Sequence, residues 1–99
     1  MKAILTKSDN SKYKYTVIIN GAPGGIDGKK INFGAAGYSD YTKHKDPTRK
    51  KRYIARHEAR EDWTNPLTAG WWSRFLLWEK PTIREAMAHI TKTFGIQFV

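Results

Sequence analysis

The sequence predicts an α+β domain: a small antiparallel sheet, made of an N-terminal hairpin plus a C-terminal strand, packed with two or three helices. Three observations predict it. Segments near the N-terminus alternate apolar and polar residues at the period of a strand. Later segments open on helix-capping residues and repeat apolar side chains at helical spacing. The chain then ends in a short β-branched and aromatic run. Strands grouped first and helices afterwards are the order of an α+β fold. A chain of 99 residues has room for one core, so a single domain over 1–99 is expected.

Residues 2–8 and 12–20 read as strands joined by the turn Asp9-Asn10-Ser11. In the second, Tyr13, Tyr15, Val17 and Ile19 alternate with Lys12, Lys14, Thr16 and Ile18, and the exposed face is expected to carry Lys12 and Lys14. Residues 21–28 are punctuated by Gly and Pro and read as a wide connection. They lack the Gly-Lys-Ser/Thr ending of a phosphate loop, and a strand over 29–33 follows where such a loop would open a helix. Gly34-Ala35-Ala36-Gly37 is expected to break that strand, leaving residues 38–42 irregular, with Asp40 fixing the turn.

Asp46-Pro47 is a helix start, a capping acceptor before proline at the first helical position, and the helix is expected to run to about Arg60. Arg49, Arg52, Arg56 and Arg60 recur along one face of it. Tyr53, Ile54 and Ala55 are its only apolar candidates, so hydrophobic burial alone cannot hold it. Asn65-Pro66 ends the next segment, and Thr68 caps a helix over 69–78 that is apolar nearly all round and therefore central. Within that helix Trp71, Phe75 and Trp78 are expected on one side, with Trp72 and Leu76 adjoining. Thr82-Ile83-Arg84-Glu85 is a capping box, Ile83, Met87, Ile90 and Phe94 form an apolar stripe, and Gly95 closes that helix. Residues 96–99 form the last strand, docked on the hairpin.

The charge narrows the function. A formal net charge of +9 and a pI near 9.9 attract polyanions. There is no cysteine, so neither disulfides nor thiolate metal sites are available. The longest apolar run, Phe75-Leu76-Leu77-Trp78, is far short of a membrane span, and Lys7 interrupts the N-terminus before a signal-peptide core could form. No membrane span and no export are expected.

No catalytic set emerges. Ser39 and Ser73 lack the surroundings of an activated nucleophile. His44, Asp46, His57 and Glu61 are acceptable metal ligands, and they sustain a metal-dependent nuclease as a distant alternative. They form no recognised metal motif, so no metal or cofactor is assigned. The cationic set is denser: Lys43, Lys45, Arg49, Lys50, Arg52, Arg56 and Arg60 are candidates for polyanion binding. Tyr38, Tyr41 and Trp63 flank them as candidate aromatic contacts for bases. The competing reading is a salt-bridge lattice, in which the arginines pair with Asp40, Glu58, Glu61 and Asp62. The spacing is compatible with both.

The stretches FGAAGYSDYTKHKD, RKKRYIARHEAREDW and TAGWWSRFLLWEKPT resemble the core of an uncharacterised small-protein family of large nucleocytoplasmic DNA viruses. The resemblance covers residues 29–88. Its matching positions are Phe33, Gly34, Gly37, Ser39, Asp40, Tyr41, His44, Asp46, Arg49, Tyr53, Arg56, His57, Trp63, Gly70, Ser73, Arg74, Leu77 and Trp78. It implies a viral protein and leaves the role open. Together with the missing catalytic set, it leads to the expectation of a non-enzymatic minor structural component of the particle with other virion proteins as partners, found in the virion and in the cytoplasm or nucleus of the infected cell. Sequence-independent binding of DNA or RNA through the phosphates is the alternative expectation.

Overall fold

The computed structural model describes residues 1–99 as an α+β domain with a four-stranded sheet on one side and helices on the other. Strands β1 (Lys2–Lys7) and β2 (Tyr13–Asn20) form the hairpin. Its turn is held by side chains: Asn10 N–H donates to Ser8 Oγ at 3.1 Å, and Lys12 N–H to Asn10 Oδ1 at 3.0 Å. Strand β3 (Lys29–Ala35) adds antiparallel to β2. The last strand, β4 (Gln97–Phe98), adds to the free edge of β1 in parallel, so the sheet is mixed, in the order β3-β2-β1-β4. Parallel entry follows from the helix that precedes β4, which carries the chain back across the sheet.

The expected break at Gly34 does not occur. The strand passes through it with φ at +75° and still pairs Ala35 with Tyr13. A Cβ there would stand 2.8 Å from Leu77 Cδ1, so this glycine is where the helical layer presses on the sheet. Gly34→Ala is expected to destabilise the fold by about 1–3 kcal/mol, from the left-handed backbone and from overpacking against Leu77. Urea denaturation measures it, and an unchanged midpoint counts against this account.

Residues expected to be irregular contain one helical turn, α1 (Tyr41–His44). Asp40 caps it by accepting Thr42 N–H at 2.9 Å, so the expected turn-fixing role takes a specific form. Helix α2 (Pro47–His57) starts as expected, Asp46 accepting the N–H groups of Thr48 and Arg49. It ends earlier than expected, and Arg60 stands in the following turn, its N–H donating to His57 O.

The Trp-rich segment is not one regular helix. Helix α3 (Ala69–Trp72), capped by Thr68, passes directly into a π-helical segment (Ser73–Leu77). Five-residue spacing replaces the α period and carries Leu76 and Leu77 into register with Trp71 and Trp72. All four are buried in the core with Ala3, Val17, Ile19, Ile31, Phe33, Ala86, Ile90 and Ile96. Phe75 packs beside Trp71 as expected, with ring centres 4.9 Å apart, and both Phe75 and Trp78 are half-buried. Helix α4 (Ile83–Phe94) keeps its expected limits, with Thr82 accepting Glu85 N–H and Gly95 left-handed at its end. No helix is long and apolar enough to cross a membrane.

Candidate nucleic-acid interface

Helix α2 has one buried side chain, Tyr53, and an aromatic stack fixes it to the domain. Tyr53 lies flat on Trp78, with centroids 4.3 Å apart and planes 3° apart. His57 stacks on the other face of this pair, also 4.3 Å from Tyr53, and His44 meets Trp78 at 5.3 Å. The π segment delivers Trp78 to this position. Burial, and then the neighbouring Glu61, push the Tyr53 hydroxyl well above its ordinary pKa, so it stays protonated. Burial and then Arg49 hold His44 below its ordinary value of 6.5, against the opposing pull of Asp46 and Asp40. His44 Nδ1 accepts Asp46 N–H at 3.0 Å, which leaves the ring proton on Nε2, a buried atom with no partner.

Between α2, the loop after β3 and the π segment lies a cleft of about 520 Å³. Arg49, Tyr53, Arg56, His57 and Glu61, from α2 and the turn after it, line it together with Gly70, Ser73, Leu77 and Trp78, and the two groups meet where Tyr53 stacks on Trp78. Lys14, Gly34, Tyr38, Ser39 and Asp40 complete the lining. Most positions of the sequence pattern described above therefore surround one cavity.

The carboxylates here are already engaged. Asp40, 2 % exposed, accepts Lys14 Nζ at 2.6 Å together with the amide and hydroxyl of Thr42. Lys14, expected on an exposed face, is 13 % exposed because this buried acid draws it in. Glu61 accepts Trp63 Nε1–H at 2.8 Å and sits 3.2 Å from His57 Nδ1. A Cβ at position 70 would stand 3.0 Å from its carboxyl carbon, so glycine there gives Glu61 its seat. Asp62 accepts the Thr64 amide and hydroxyl, and these bonds lower its pKa.

The salt-bridge lattice is therefore overturned. The ion pairs serve Lys14, Lys30, Lys50, His57 and Arg74; none reaches Arg49, Arg52, Arg56 or Arg60, all of which are exposed. Arg49 and Arg56 line the cleft and Arg52 and Arg60 do not. Lys43 and Lys45 are exposed, Lys45 also donating to Thr42 O at 2.9 Å.

Other candidates are used inside the fold. Lys50 donates to Glu79 O at 2.8 Å and lies 5.2 Å from the Tyr41 ring centre, so Lys50 and Tyr41 brace each other. Trp63 is tied to Glu61 and lies 5.3 Å from the Arg74 guanidinium. Tyr38 is 74 % exposed at the cleft mouth. Lys14, His57 and Ser73 were missed as lining residues because a cleft closed by a strand, a helix and a π turn leaves no local spacing to read. The four candidate metal ligands do not assemble: His44 and His57 stand at opposite ends of the stack, and no group of three or more metal-binding side chains occurs.

A model of a family of unknown function, DUF5754, matches residues 3–57, just over half of the chain. The chain belongs to DUF5754. No curated protein and no solved structure matches it. The DUF5754 segment takes in three strands, α1 and α2, and so carries the cleft's arginines, His57, Tyr38 and the Lys14–Asp40 pair. The lining residues from Gly70 to Trp78 lie beyond the matched residues.

Proposed function

We propose that the protein binds nucleic acid through the phosphates, using the cationic side of α2. One observation carries this reading: four regularly spaced guanidiniums on and just after one helix are exposed and have no carboxylate partner, although acids lie close by in sequence and in the cleft. Unpaired arginines held on a fixed helix match phosphate oxygens with pairs of donors and lose little entropy on binding. Nothing in this arrangement reads base edges, so contact through the backbone with weak sequence selectivity is expected.

With roughly four phosphates neutralised, affinity for an oligonucleotide should fall about a hundredfold between about 50 and 200 mM salt. Replacing Arg49, Arg52, Arg56 and Arg60 together by Gln should remove most of that slope and leave the circular dichroism spectrum unchanged, since none of the four holds the fold. Fluorescence anisotropy measures the binding; a shallow salt slope in the unaltered protein rejects the reading. A place in a virus particle, the structural role expected from the resemblance and the missing catalytic set, is compatible with the same surface facing a packaged genome. Mass spectrometry of purified particles tests that role, and absence of the chain rejects it.

A further inference from the structure

We infer that the cleft is a distinct subsite within this basic surface, holding one unstacked nucleotide of a single strand. Its flanking phosphates lie on Arg49 and Arg56 and its base lies against Tyr38. This rests on the nucleic-acid reading and narrows it to single strands.

Four features carry the inference. The cavity, about 520 Å³, is within the range that encloses small ligands and is larger than one phosphate requires. Arg49 and Arg56 are two helical turns apart, about 10.5 Å along the axis, with Tyr53 between them, so they bracket a nucleotide rather than converge on one oxygen. The acids of the lining, Asp40 and Glu61, are engaged by Lys14, Thr42, Trp63 and His57, which limits their repulsion of a phosphate. Tyr38 is the most exposed large apolar side chain of the chain and stands at the mouth, and Ser39 and Ser73 in the lining add hydroxyls for a sugar. A free aromatic face beside paired cations is the chemistry of single-strand binding. A duplex keeps its base faces stacked, so it gains from the cations and nothing from Tyr38.

The test is anisotropy with a labelled thymidine oligomer of roughly ten nucleotides and a duplex of equal length, at one salt concentration. The single strand should bind more tightly. Tyr38→Ala should weaken single-strand binding by roughly tenfold, the stacking contribution of one base, and leave duplex binding unchanged; Tyr38→Phe should restore it. The pair Arg49→Gln/Arg56→Gln should lower single-strand affinity more than Arg52→Gln/Arg60→Gln, although both remove the same charge. Equal affinities for the two forms, with Tyr38→Ala silent on both, overturn the subsite and leave general phosphate binding standing. Failure of the unaltered protein to bind either form overturns both.

Discussion

Asp40→Ala should destabilise the fold by about 3–5 kcal/mol, the cost of leaving a buried charge without its partner. Asp40 is 1 % exposed as a residue and is bound by Lys14 Nζ and by the amide and hydroxyl of Thr42. Alanine removes the cap of α1, worth about 1 kcal/mol, and strands an ammonium that keeps 13 % of its surface. A domain of this size is stable by about 5–15 kcal/mol, so the variant loses a large part of its margin. Chemical denaturation gives the number, and a second variant gives the cause. Adding Lys14→Met to Asp40→Ala removes the stranded charge and should recover part of the loss. A double variant no more stable than Asp40→Ala would place the cost in the lost cap and packing, and a single variant losing under about 1 kcal/mol would sink the account.

That pair also marks the boundary of what the sequence made legible. The hairpin, the Asp46-Pro47 helix start, the Thr68 and Thr82 caps and the Gly95 stop depend on residues within a few positions of one another, and each forms as expected. Alternation placed Lys14 outside, because a strand pattern contains no information about an acid 26 positions away that will be buried beside it. Gly34 read as a breaker for the same reason: its left-handed backbone is used where Leu77 needs space, and Leu77 reaches that place only through the π turn. Of the seven cationic candidates, Lys50 was drawn inside by Glu79, a residue beyond the basic stretch. The four arginines left without partners are regularly spaced, and spacing alone could not separate a lattice from a free surface. The positions of the acids decided it: Asp40, Glu61 and Asp62 are each satisfied by other groups.

Glu79 should be the second most costly polar position. Its carboxylate accepts Arg74 Nη1–H at 2.5 Å and lies 4.0 Å from Lys50 Nζ, while its carbonyl accepts Lys50 Nζ at 2.8 Å. Arg74 is itself enclosed, 5.0 Å from the Phe75 ring centre and 5.3 Å from that of Trp63, and its Nε is buried without a partner. Glu79→Gln removes the counter-charge of a largely enclosed guanidinium, and about 1–3 kcal/mol is expected, the range for a charged hydrogen bond in a half-buried pair. The same group gives a pH signature. Burial pushes the Glu79 pKa up, but the Arg74 hydrogen bond, its charge and that of Lys50 outweigh it, so the carboxyl titrates below its ordinary value of 4.5. A carboxylate depressed in the folded state contributes stability above its unfolded pKa and loses it as pH falls through the folded one. Denaturation midpoints measured from about pH 6 to pH 3 should therefore fall below about pH 4.5 more steeply in the unaltered protein than in Glu79→Gln. Parallel profiles in the two proteins would show that the acid limb belongs to other carboxylates and that Arg74 is held without this charge.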